Sequence, residues 1–380
     1  MDQKQRIARI IREYDGQGWH RTGTQTDHES ARWLAAQVGD LGLEVELEGF
    51  ELSRIDPDVC CLEVAGQQIV GLPMFDGAFT GPEGIRGRIG PLGSTAEIGL
   101  GDVARSGMAT QEFQAARQSS KHQALVAVTL GGRPGLMATN AQSFRNPFGP
   151  PVLQVGSQVH SLLSEHAQRN SEAHLILSVN RTEAESFNVV GRLKGADQSL
   201  APLAIMTPRT GWWHCAGERG GGLACWLEVM RAFSEAGSLR DVVFLATSAH
   251  ELGLRGIDSF LERRPGFATK ASAWVHFGAN IGAALEPGAR FSATDDQLER
   301  QMQVALAQAG APTASPVPRD TTVGAESQVV AGHGGRVVAM VGDNAQFHLE
   351  SDRWPDAVDV EAVAGFARAF NKVALQLAGR

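Results

Sequence analysis

Apolar positions recur at helical spacing at the start of the chain and at strand spacing soon after. Ile7, Ile10, Ile11 and Tyr14 share one face, which predicts a helix over 4–14. Thr26-Asp-His-Glu29 has the form of a capping box. It predicts a second helix carrying Ala31, Leu34, Ala35, Val38 and Leu41 on one side, closed by Gly39 and Gly42. Val45, Leu47 and Phe50 then alternate, as in a half-buried strand. From 53 to about 185 the pattern changes to short apolar runs: Cys61–Val64, Ile69–Leu72, Ala124–Leu130, Val152–Val155 and His174–Val179. Turn signals such as Gly81-Pro-Glu-Gly and Gly131-Gly-Arg-Pro-Gly separate them, which predicts a small β-rich unit with one or two helices.

After Asn188 apolar strands alternate with amphipathic helices. Val189–Leu193, Leu203–Met206, Val242–Thr247, Ala273–Phe277 and Val337–Val341 read as strands. Gly222–Ala236, Leu254–Leu261, Gln297–Ala309 and Val360–Leu377 read as helices, the first burying Leu223, Trp226, Leu227, Met230 and Phe233. Strands without a polar face imply a sheet covered on both sides. The predicted class is therefore α/β: a mixed sheet flanked by helices on both faces. Residues 1–52 and 186–380 form one discontinuous domain, and 53–185 form a β-rich insertion.

Composition narrows the function. A hydrophobic content of 43%, a charged content of 20% and 380 residues suit a globular chain with a real core. A net charge of −8 without a basic run argues against nucleic acid or an anionic membrane as partner. No apolar stretch approaches the roughly 20 residues of a membrane helix. Met1-Asp-Gln-Lys-Gln-Arg-Ile lacks the apolar core of a secretory leader. Cys60, Cys61, Cys215 and Cys225 do not make a disulfide framework in a chain of this length. A cytoplasmic protein with reduced thiols is expected, and a homodimer is compatible with the sequence.

The segments His20–Leu34 followed by Leu41–Val45, Glu185–Leu193, Gly222–Phe233 followed by Arg240–Phe260, and Phe347–Asp359 resemble the M28 family of zinc peptidases. The subgroup in question carries a protease-associated domain insert. The resemblance implies a zinc-exopeptidase-like α/β sandwich whose chemistry uses two zinc ions, a bridging carboxylate and a glutamate base. Several ligands are missing. The family's His-x-Asp falls on Pro208 and Thr210, and its bridging Asp on Glu218. Its Glu-Glu pair reads His250-Glu251, and its later Asp falls near Gly278. The late His is kept as His348, with Asp352 four residues on. Two ions are not expected. Glu218, Glu251 and His348 are the candidate ligands for at most one divalent metal, zinc if any, the alternative being a metal-free polar cluster.

His250 follows an apolar strand at the edge of the sheet where ligands bind, so it is a candidate general acid/base, or a histidine that caps a strand end. Arg209 and Arg219 would bind a substrate carboxylate or pair with Glu218 or Glu251; Arg209 and the helix start at 220–222 would stabilise negative charge. His214 and Cys215 are candidate substrate contacts, the thiol a nucleophile or soft ligand. Trp212, Trp213 and Trp354 would wall an apolar ligand or pack in the core, and Asn280 and His276 would add polar contacts. The expected role is a hydrolase with a non-dinuclear site, acting on an amide or related bond of a small molecule or short peptide-like substrate. A metal-free lyase or isomerase, and a non-catalytic pseudopeptidase that binds a peptide or metabolite, are the alternatives.

Overall fold

The computed structural model describes residues 1–104, 110–119, 121–130 and 133–379; Gly131 and Gly132 of one predicted turn lie outside the described residues. The chain folds as a mixed sheet flanked by helices. Strands Val242–Thr247, Leu203–Pro208, Ala273–Phe277 and Val337–Asp343 lie side by side and parallel. Gly288–Ala293 adds an antiparallel neighbour at one end, and Glu172–Leu193 followed by Glu44–Val64 continue the sheet antiparallel at the other.

The pleat sends alternate side chains to opposite faces. Leu203, Ile205, Val242, Phe244, Val275 and Met340 meet helices Gln3–Asp15, Gln25–Asp40, Gly221–Ala236, Asp296–Ala309 and Val360–Leu377. Ala204, Met206, Leu245, Trp274 and Ala339 meet Arg255–Glu262, Phe267–Lys270 and Ala325–Gly332. Both faces are dry, as strands without a polar side require. The five predicted apolar positions of Gly221–Ala236 are all buried.

Three local expectations change. The second helix is capped by Thr24, whose hydroxyl accepts from the Asp27 amide, so it begins two residues before the capping box read from the sequence. Asp27 is instead drawn inward by an ion pair with Arg209. Helix Ala325–Gly332 and strand Gly288–Ala293 were not visible in the pattern. The runs Val45–Phe50 and Cys61–Val64 belong to one strand, Glu44–Val64, paired along its length with the similarly long Glu172–Leu193. Ser53, Arg54, Asp56 and Asp58 hid this continuity, because they interrupt the apolar rhythm where Ile55 alone is buried. Pro57 sits at the one register shift, where a missing N–H is tolerated.

Beyond this strand pair, Ile85–Pro91, Ile98–Ala104, Ala124–Leu130 and Val152–Val155 form a parallel set joined to Glu172–Leu193 through Ile85–Arg88.

Candidate functional site

The parallel strands all end at the same edge. Thr207 and Pro208 close one, Thr247 another, Phe277 a third and Asp343 a fourth. The loops that follow converge there, and they hold non-glycine residues at positive φ, among them Cys215 (58°), Ala249 (55°), Leu254 (60°), Asn280 (65°) and His348 (61°). Such conformations cost about 1–3 kcal/mol each. The carboxyl end of the strands is where an open α/β sheet places a ligand.

His250 follows Ala249 directly. Its Nδ1 lies 2.7 Å from Glu326 Oε1, which also accepts from Thr247 Oγ1 at 3.2 Å. His276, at the end of its strand, brings Nε2 to 3.4 Å from Glu326 Oε2. Burial raises the Glu326 carboxyl's proton affinity, but His250 and His276 outweigh that and hold it well below the usual range. Glu326 was absent from the sequence reading. Its one signal is an acid two residues after Gly324, in a stretch with no family motif.

Beside this group stands an ion pair. Glu218 Oε1 is 2.8 Å from Arg219 Nη2 and 3.5 Å from His348 Nε2. Arg219 Nε also donates to the Thr210 carbonyl at 2.7 Å. Burial pushes the Glu218 carboxyl up, yet Arg219 and His348 prevail and bring it down to about 2. Asp352 accepts the Gly217 and Glu218 amides, each at 2.9 Å. Burial pushes its carboxyl up to about 7 against those donors, with Glu218 adding to the rise. Asn280 receives the Asn344 side-chain amide at 3.3 Å, and its own backbone amide donates to the Glu218 carbonyl.

The expected helix start needs correction. Residues 216–220 form a π-helical turn that leads without a break into Gly221–Ala236. Gly220–Gly222 are already helical, and the forward-facing amides belong to Gly217 and Glu218, where Asp352 takes them. No amide at 220–222 is left for an oxyanion.

A metal was the next expectation, and the donors present do not fit it. Glu251 Oε1 accepts the Thr22 hydroxyl at 2.6 Å and the Thr22 amide at 3.3 Å, and Oε2 accepts the Thr210 hydroxyl at 2.9 Å. Thr210 therefore supplies a donor to Glu251. The guanidinium of Arg219 stands against Glu218. At Gly278, near the family's later Asp, a Cβ would lie 2.6 Å from Val341 Cγ1 and 2.9 Å from the Met340 carbonyl, so no ligand side chain fits. Among the described residues no group of three or more His, Cys, Asp or Glu is arranged to hold a metal ion. The expected set Glu218, Glu251 and His348 is corrected accordingly.

Other predicted residues go elsewhere. Arg209 is corrected from transition-state stabiliser to internal brace: it pairs with Asp27 at 2.7 Å and donates to the Phe187 and Asp27 carbonyls. Cys215 is buried with its Sγ against the Trp213 carbonyl, and burial beside Glu218 pushes its thiol well above the ordinary value, so it is no nucleophile. His214 Nδ1 meets the Asp15 carbonyl at 2.9 Å. Trp212 stacks on Phe75 and donates to Asn140 at 3.2 Å, while Trp213 donates to the His348 carbonyl at 2.8 Å and meets Trp19 edge-on. Trp354 is half-buried, its amide donating to Asp15.

Three solved structures share this architecture. The zinc aminopeptidase BSAP from Bacillus subtilis aligns over 98% of this chain and 94% of its own, with a TM-score of 0.77 at 17% identity. The chain carries the fold of the M28-type zinc aminopeptidases. A Peptidase M28 precursor from Shewanella amazonensis SB2B aligns over 99% and 96%, with a TM-score of 0.76 at 15% identity. An aminopeptidase from Aneurinibacillus sp. strain AM-1 aligns over 99% and 94%, at 0.75 and 13%. At the level of sequence no family model matches the chain, and no curated protein does. Among the described residues no helix is long and apolar enough to cross a membrane.

Proposed function

We propose that the chain is a hydrolase of an amide or related bond in a small molecule or short peptide-like substrate, working through side chains instead of a dinuclear centre. The observation that carries this is His250: it stands at the carboxyl edge of the sheet, bonded through Nδ1 to a buried carboxylate, beside a buried guanidinium. An imidazole held in this way can serve as a general base without metal help.

Nε2 of His250 takes a proton from water as the water oxygen attacks the substrate carbonyl carbon. Negative charge develops on the carbonyl oxygen. Arg219 carries a permanent cation: its Nη2 is paired with Glu218 Oε1 at 2.8 Å, while its Nη1 has no hydrogen-bond partner among the described residues. It takes the oxyanion role first assigned to Arg209. Collapse of the tetrahedral species breaks the carbon–nitrogen bond, and His250 returns its proton to the leaving nitrogen. The peptidase fold of the structural neighbours supports a peptide-like substrate. The strained loops favour a maintained site over a decaying one.

One observation favours a second reading, a non-catalytic binding protein. His250 is only 8% exposed and Glu218 only 1%. The readings separate on purified protein treated with a chelator and offered aminoacyl p-nitroanilides, dipeptides and N-acylated amino acids. The hydrolase reading expects one of these to be cleaved, with a loss on the order of 10²–10⁴-fold in His250→Ala. Cleavage that requires two equivalents of zinc, or that survives His250→Ala, would overturn it. Ligand-induced thermal stabilisation unchanged by His250→Ala, with no turnover, would establish the binding protein.

A further inference from the structure

Glu326 belongs to no motif in the sequence, yet three groups of the site converge on it. Gly324 makes this approach feasible. It has φ +82°, and a Cβ there would lie 2.5 Å from His276 Cε1 and 2.7 Å from its Nδ1. The chain therefore runs against the His276 ring before helix Ala325–Gly332 begins, and the first turn of that helix delivers Glu326 between the two histidines. The carboxylate is 1% exposed. A charge so buried is expensive unless it is paired and hydrogen-bonded, and its partners are His250, His276 and Thr247.

From this geometry we infer that Glu326 is a positioning residue: it accepts the Nδ1–H of His250, fixes the ring plane and leaves Nε2 as the basic nitrogen. The inference rests on the reading of His250 as the acid/base group and deepens it. A free neutral imidazole populates both tautomers, and only one of them offers a lone pair at Nε2. A carboxylate 2.7 Å from Nδ1 can accept a hydrogen bond but cannot donate one, so it selects the Nδ1–H form. The Thr247 hydroxyl donates to the same oxygen and holds it in place. His276 faces the other oxygen at ion-pair distance and keeps the carboxylate from swinging away. When His250 takes the proton from water, the imidazolium stays beside a compensating negative charge. Glu326 itself gains no proton.

The test is the tautomer, because it needs no substrate. Nitrogen-15 spectra of histidine-labelled protein, with His250 assigned by its loss in His250→Gln, should show its neutral form protonated at Nδ1. In Glu326→Gln, where an amide can donate to Nδ1, the Nε2–H form should gain substantially. Glu326→Asp should restore Nδ1 protonation, which general loosening of the fold would not do. A wild-type His250 protonated at Nε2, or a tautomer unmoved in Glu326→Gln, overturns the inference. Should Glu326→Gln fail to fold, the wild-type spectrum still decides. Catalysis that survives His250→Ala would remove the acid/base role while leaving the tautomer result intact, so the two failures are told apart.

Discussion

Arg209 shows how far a single residue can depart from the role its neighbours in sequence suggest. It lies between Pro208 and Thr210, at the carboxyl end of its strand, and yet it is 1% exposed and paired with an equally buried Asp27. Asp27 also accepts the Gly23 amide at 2.7 Å and the Ser186 hydroxyl at 2.6 Å. This pair ties the second helix to the strand carrying Phe187. Removing one partner strands a charge in a dry interior, which costs roughly 3–5 kcal/mol. Arg209→Met and Asp27→Asn should each lower stability by that order in chemical denaturation. The double variant should lose much less than their sum, because it leaves no lone charge. Additive losses would show that the two groups do not act as a pair. At this scale the sequence was a good guide to which residues gather, as with Glu218, His250 and His348, and a poor guide to their partners. Thr22 and Thr210, which satisfy Glu251, have no distinctive pattern, and neither has Glu326.

Whole elements were far more legible. Apolar strands with period two and helices with period 3.6 have few alternative folds, so the central strands and the helix from Gly221 could be read directly from spacing. The strand from Glu44 to Val64 could not, since its middle, around the buried Ile55, has no apolar rhythm to betray a strand. The glycine run 220–222 was visible but read as an open helix start, where the structure continues it from the π-helical turn at 216–220. Its cause lies in packing. A Cβ on Gly221 would stand 1.8 Å from the Ile281 carbonyl oxygen, which is main chain and cannot swing aside. A Cβ on Gly220 would meet Ile11 Cγ2 at 2.8 Å, a side chain with some freedom to move. Helix propensity alone predicts that Gly→Ala at either site gains about 1 kcal/mol. Gly221→Ala should instead cost roughly 3 kcal/mol by overpacking, and Gly220→Ala distinctly less. Thermal unfolding of the two variants checks both the sign and the order. A stabilised Gly221→Ala would mean that the helix does not approach the Ile281 loop so closely.

For the molecule as a whole, the internal charge cluster at the strand ends should appear in the dependence of stability on pH. Glu218 is held down to about 2, against roughly 4.3 for an unfolded glutamate, and Glu326 is depressed in the same direction. Below the unfolded value the denatured chain binds protons that the native chain refuses, so stability from these groups is complete above about pH 4 and lost as pH falls toward 2. Asp352 works the other way. Its native carboxyl is raised to about 7, against roughly 3.9 unfolded. Between those values the native chain holds a proton that the denatured chain has released. Its contribution is full below about pH 4 and gone once pH passes 7. The two trends leave a maximum on the acidic side of neutrality, near pH 4–5. Melting temperatures measured from pH 3 to pH 8 should rise to that maximum and then decline. Asp352→Asn should flatten the decline above it, and Glu218→Gln should flatten the limb below it, whatever each does to the absolute melting temperature. A profile that climbs steadily to pH 8 in the unaltered protein would show that the two backbone amides on Asp352 outweigh its burial, and that the carboxylate is charged throughout.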